Sequence, residues 1–282
     1  CAWILEGALQ DTGDGFELRD DAKTIAGNDE IWRELTTLLG DDLSGSRLTL
    51  LSAALLGVEV DDRELEAVMK IHRTSTSPLL VARMVQLGVA EHTDVGWRFS
   101  DQAFRVFLCE FAKAANVWIE LNAALAGALQ AMPPRRGMKR RIATHLVEAS
   151  RSAEAIDQYL EAADDALLEG ELELALELIE QREKSIERLR LPSSDERRGL
   201  TFRITATIMN AWSRAEESRE FIEQGITTAT EQGWSVVATD LKVLRCESQI
   251  LSGEASAAIP VLEELVVTIS QSAAALSLAD TY

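Results

Sequence analysis

With 282 residues and a hydrophobic content of 46%, the chain is longer than one ordinary domain and can bury a sizeable core without disulfides or metals, so two modules are expected. Its formal charge of −19, from 28 basic and 47 acidic residues, speaks against a protein that mainly wraps nucleic acid or lies on anionic lipid, since both need local positive charge. Cys1, Cys109 and Cys246 are far apart and odd in number, which speaks against a disulfide framework or a zinc cluster and fits a cytoplasmic location.

Apolar stretches such as 117–132 are interrupted by Glu120, Asn122 and Gln130, short of the roughly 18 to 20 uninterrupted residues that a membrane span requires. Cys1 could suggest a lipid anchor, but Trp3-Ile-Leu follows it where a polar tether would be expected. The chain begins without methionine and stops at Tyr282 within a helical pattern, as a piece of a longer protein would.

In chain order, Ala8-Leu-Gln and Gly15-Phe-Glu-Leu flank a glycine-rich turn and predict a small β-hairpin. Asn28 or Asp29 can cap a helix with Ile31, Trp32, Leu35, Leu38 and Leu39 on one face. Residues 1–44 are therefore read as a hairpin and linker helix. From Ser46 the pattern is a helix to Leu56, a helix from Asp61 to His72, and a third from Ser77 to Gly88. The segment Val89 to Phe99 then alternates about a Thr93-Asp-Val-Gly96 turn, as a two-stranded wing would. Three helices and a hairpin are the order of a winged helix, and residues 45–134 are assigned to such a domain. Ser100 or Asp101 can cap a long helix running past Trp118, which Pro133-Pro134 ends.

After the prolines the pattern is of paired amphipathic helices at about 136–149, 152–168, 171–189, 195–213, 216–231, 234–252 and 255–275. Gly170, Ser213 and Gly253 mark junctions spaced by 43 and 40 residues, each followed five positions on by a small residue: Ala175, Ser218 and Ala258. These junctions predict close helix packing in a repeat whose helices exceed those of the tetratricopeptide unit of about 34 residues. The fold class is thus mainly α, with a small winged helix followed by a TPR-like α-α superhelix over 135–282.

The sequence offers no candidate catalytic, cofactor-binding or metal-binding residue. It has no phosphate loop and no Gly-x-Gly-x-x-Gly turn. His72, His92 and His145 have no metal-ligand spacing, and paired acids such as Asp61-Asp62 fit helix starts. Between Gly45 and Glu110 seven basic residues face nine acidic ones, and the third helix carries only Arg83, so DNA binding is disfavoured against packing between domains. The single basic cluster, Arg135, Arg136, Lys139, Arg140 and Arg141, reads first as a solvated helix start and second as an anchor for an acidic partner or nucleotide.

The order of short motifs adds a family resemblance. Glu6-Gly-Ala-Leu, Ile31-Trp-Arg-Glu-Leu35, Leu50-Leu-Ser-Ala-Ala-Leu-Leu-Gly57, Leu87-Gly-Val-Ala and Trp97-Arg-Phe-Ser resemble the region after the nucleotide-binding core of STAND-type ATPases, AAA-like regulators of bacteria. Arg141-Ile-Ala-Thr-His-Leu and Ala153-Glu-Ala-Ile-Asp-Gln-Tyr resemble the start of their tetratricopeptide arm. The resemblance implies a non-catalytic regulatory arm of an ATP-dependent switch, with residues 1–44 closing an upstream ATPase domain. That domain would hold ATP and be a partner in cis, and a protein or small-molecule effector would bind the repeat surface. A stand-alone TPR scaffold and a winged-helix DNA-binding regulator are the alternatives.

Overall fold

The computed structural model describes residues 9–11, 16–18 and 45–279, apart from 77 and 213. The described chain is mainly α-helical and divides after Leu129 into two compact units. The predicted hairpin is present: β1 (Leu9–Asp11) and β2 (Phe16–Leu18) pair antiparallel, with Leu9 opposite Leu18. The helix expected over Ile31 to Leu39 lies outside the described residues.

In the first unit, α1 (Ser46–Leu56) is buried all round from Thr49 to Leu56, which makes it the central element rather than an amphipathic surface helix. It is followed by β3 (Glu59–Asp61), α2 (Asp62–Ile71), α3 (Pro78–Gln86), β4 (Ala90–His92) and β5 (Gly96–Phe99). The sheet is antiparallel in the order β3-β5-β4. Its third strand, β3, went unanticipated because a three-residue strand leaves no periodicity to read. Alternation buries Trp97 and Phe99 and exposes Arg98, which pairs with Glu91 on β4 at 2.6 Å. Trp97, Phe99 and then Phe104 meet edge to face, with centroids 4.9 and 6.4 Å apart. Gly96 is obligatory at its position, since a Cβ there would lie 2.2 Å from the Val60 carbonyl oxygen.

The long helix expected after the wing is broken in two. Asp101 does cap it, accepting from the amides of Ala103 and Phe104 at 2.8 and 3.2 Å. But α4 (Gln102–Ala114) ends at Asn116, which takes φ 59°, and α5 (Trp118–Gln130) starts anew. Asparagine tolerates the left-handed conformation, and the amide of Val117 returns to the Ala112 carbonyl at 3.1 Å, closing a Schellman turn.

The second unit contains α6 (Met138–Glu148), α7 (Ser152–Leu168), α8 (Leu172–Leu189), α9 (Leu200–Ala211), α10 (Ala215–Gln232), α11 (Ser235–Leu251) and α12 (Ala255–Ala279). Successive helices pack on one another, and α9 also packs on α7 and α11. One turn recurs between them. Ser150, Gly170, Gly233 and Gly253 all have φ between 60° and 83°. The following amide reaches back to the carbonyl of Leu146, Ala166, Ala229 or Gln249 at 2.7–2.8 Å. This is again the Schellman closure, and Ser150 to Gly170 and Gly233 to Gly253 are each 20 residues apart. The helix expected over 195–213 instead starts as a 3-10 turn (Glu196–Arg198) ahead of α9, so residues 191–199 form an insertion that breaks the period.

Candidate functional site

The five residues of the basic cluster lie at and just before the start of α6, and three of them, Arg136, Lys139 and Arg140, stand in ion pairs within the unit. Arg136 pairs with Glu169 at 2.8 Å and with Glu171. Lys139 lies 3.1 Å from Asp165 and 3.4 Å from Glu161, and Arg140 meets Glu177 at 3.7 Å. Arg135 accepts the amide of Met138 through its backbone carbonyl, and Arg141 sits close enough to His145 to disfavour its protonation. These pairs, among largely exposed side chains, link the start of α6 to acids of α7, of α8 and of the turn between them.

Among the junction residues, Ser213 is outside the described set. Gly170 and Gly253 serve the backbone: both are left-handed, and a Cβ on either would meet nothing within 4 Å. The close packing sits five residues on. Ala175, Ser218 and Ala258 are fully buried, and the Ser218 hydroxyl donates to the Ala206 carbonyl at 3.2 Å. Two tighter contacts were not anticipated. A Cβ at Gly199 would lie 2.6 Å from the Trp234 ring, and one at Gly225 would lie 2.8 Å from Leu241.

Arg182 was also missed. Its side chain is wholly buried, donating to Thr201 Oγ1 at 2.7 Å and to the Arg197 carbonyl at 2.5 Å. Burial lowers its pKa, opposed by Glu183. Trp234 Nε1 donates to the Ser194 carbonyl at 2.7 Å, so the 191–199 insertion is pinned by Arg182 of α8 and by the residue that caps α11, and Arg197 pairs with Asp195 within it at 2.7 Å. The side-chain hydrogen bond from Arg197 holds Asp195 down at about 2.

Two grooves open between alternate helices. One, of about 270 Å³, lies between α6 and α8 over the buried Tyr159 of α7 and carries Arg140, Thr144, Glu148, Lys184 and Arg188 on its walls. The other, of about 500 Å³, runs along α9 and α11 and is lined by Arg203, Thr207, Asp240 and Glu247. At its edge Arg203 bonds Asp164 of α7 at 2.7 Å. Both linings mix charged and apolar side chains, with Val147 and Leu178 in the first and Leu200, Val243 and Leu244 in the second. His145, on α6, is pushed down to about 4 by burial and by Arg141, so it is neutral at physiological pH. Among the described residues no group of three or more His, Cys, Asp or Glu side chains is placed to hold a metal ion, and no helix is long and apolar enough to cross a membrane.

Neither a protein-family model nor a curated protein sequence matches the chain. One solved structure does: a signal transduction ATPase with numerous domains (STAND) protein with a tetratricopeptide repeat sensor, from Pyrococcus horikoshii. It is 11% identical over 90% of this chain and 48% of that one, with a TM-score of 0.33. The chain spans about half the length of that protein.

Proposed function

We propose that the chain is a regulatory and partner-binding segment, in which a winged-helix module (45–134) docks on an ATPase core and a TPR-like arm receives a protein or small-molecule effector. The observation that carries this reading is the second unit, where helices joined by one repeated turn leave grooves of mixed polar and apolar lining between alternate members. A surface built by stacking is suited to contact along its length. The sensor arm named in the Pyrococcus protein is a role of the same kind. The first unit is a docking module rather than a DNA reader in this proposal, because α3 has Arg83 as its single basic side chain and lacks the positive footprint that phosphate contact needs.

In mechanism, an effector that binds the arm more tightly in one arrangement of the full protein would shift the switch by that difference in affinity. No residue of this segment is assigned to hydrolysis. Two measurements test the reading. Calorimetry of the chain with ATP should give no saturable heat, and removing residues 135–282 from the full-length protein should change its basal nucleotide turnover severalfold. Saturable ATP binding by the segment, or unchanged turnover after the truncation, would overturn it.

A further inference from the structure

We propose that the groove along α9 and α11 binds a basic segment of a partner protein, held extended with two cationic side chains on Asp240 and Glu247 and apolar side chains between them. This rests on the reading of the second unit as a binding arm and names the chemistry of the partner and the place it takes.

The first argument is charge. Asp240 and Glu247 stand on α11 and line the groove, and among the described residues neither side chain makes an ion pair or a hydrogen bond. Arg203, the cation of the lining, does not answer them: its Nη2 donates to both carboxylate oxygens of Asp164 on α7, at 2.7 and 2.8 Å. Arg245, also on α11, pairs with Glu223 of α10 at 3.1 Å. The groove therefore carries uncompensated negative charge, which a cationic partner complements.

Spacing is the second argument. Seven residues of helix put the two acids about 10.5 Å apart along the axis of α11, too far to share one metal ion, so they call for two cations on one partner. Along a polyproline-type extended segment, residues three apart lie on one side and about 9.3 Å apart, and a flexible lysine stem covers the difference. The lining also offers apolar contact for the residues between the two bases, from Val243 and Leu244 on α11 and Leu200 on α9. The volume of about 500 Å³ equals about seventeen waters at roughly 30 Å³ each, which is room for a few residues of chain and more than a linear polyamine fills.

Fluorescence anisotropy with the chain tests this, using labelled, C-terminally amidated peptides with the cores Lys-Leu-Val-Lys, Lys-Gly-Gly-Lys and Glu-Leu-Val-Glu. The first should bind saturably and weaken as salt is raised, the second should bind more weakly, and the third should not bind. The double variant Asp240→Asn, Glu247→Gln should bind the first about tenfold more weakly, about 1.4 kcal/mol, within what two partly exposed ion pairs contribute. The double variant Glu180→Gln, Glu187→Gln removes the same charge at the same spacing on α8, outside the groove, and should bind like wild type. No saturable binding of the basic peptide, equal affinity in the α11 variant and wild type, or an equal loss in the α8 variant would overturn the proposal. So would spermidine that competes at the peptide's own affinity, since the occupant would then be a small polycation. Nucleotide turnover of the full-length protein that responds to removal of 135–282, with no peptide bound, overturns this site and leaves the regulatory reading standing. Peptide binding as expected, with turnover unmoved by that truncation, supports the site and overturns the regulatory reading.

Discussion

Replacing Arg182 by alanine tests whether the insertion between α8 and α9 is held by a buried cation. The guanidinium, 0% exposed, donates to the Thr201 hydroxyl and the Arg197 carbonyl at 2.7 and 2.5 Å. Two hydrogen bonds from a charged donor contribute about 3 to 6 kcal/mol together. Removing the cation also removes its desolvation penalty, several kcal/mol in a protein interior, which offsets much of that loss. A truncation cavity and an orphaned Arg197 carbonyl remain, so Arg182→Ala should destabilise the second unit by about 2 to 4 kcal/mol. Arg182→Met keeps the packing and orphans the same carbonyl; Thr201 retains its bond to Glu183, so the cost falls to about 1 to 2 kcal/mol. Urea unfolding followed by circular dichroism measures both. Limited trypsinolysis adds a local reading, because Arg190 borders the insertion, Arg197 and Arg198 lie within it, and all three should be cut faster in the alanine variant. Alanine and wild type agreeing within about 0.5 kcal/mol, with equal cleavage rates, would refute the reasoning.

His145 gives the second unit a pH dependence. Its pKa is about 4 when folded against 6.5 for an unperturbed histidine, so between those values the unfolded chain binds the extra proton. Stability is therefore full above pH 6.5 and falls as pH drops toward 4, by up to about 3 kcal/mol; His145→Phe should flatten a urea-midpoint profile over that window. Asp195, held at about 2 against 3.8, loses its contribution only below about pH 4, so a separate loss should appear there and vanish in Asp195→Asn. Gly199→Ala should cost about 1 to 3 kcal/mol by overpacking, because the Trp234 ring 2.6 Å away is anchored by its bond to Ser194. Gly127→Ala, whose new methyl meets only Ile71 at 3.8 Å, should instead raise the melting temperature through helix propensity, by up to about 1 kcal/mol. Asp101→Ala removes the cap of α4 and should cost about 1 kcal/mol in the first unit.

The helices of the second unit were legible because a 3.6-residue apolar period and a residue suited to left-handed backbone recur together, as at Gly170 and Gly253. Where one of those signals was absent the reading failed for a definite reason. At Asn116 the apolar pattern runs on through the turn, so the break after α4 was hidden. The close approaches at Gly199 and Gly225 depend on Trp234 and Leu241, partners that no local pattern identifies. Arg182 sits in Glu180-Gln-Arg-Glu-Lys-Ser-Ile-Glu-Arg188, where charged neighbours hide that it shares the buried face with Ile186. Periodicity shows which face a residue takes but not that another segment covers it. The basic cluster was recognised as a cluster, yet its acids lie on α7 and α8, some 22 to 37 residues on, and single-sequence charge counting does not place them.

In a stack of helices stability is close to a sum of nearest-neighbour terms, so what differs between neighbouring helices matters more than what they share. The turn is shared. At one interface, α6 with α7, exposed ion pairs at Lys139 contribute under about 1 kcal/mol each and weaken with salt. On α7 and α8, fully buried Ala155 and Ala175 belong to packing that salt does not weaken. Between α8 and α9 the insertion replaces the regular turn, and a buried guanidinium supplies the link. Raising salt should therefore loosen the α6 end first and leave the α8–α9 junction unmoved, whereas Arg182→Ala should do the opposite. Hydrogen exchange of the backbone amides of α6 and α9, read in both conditions, separates the two: equal changes in both helices would mean that the unit opens as one body and that these contacts do not set its local stability.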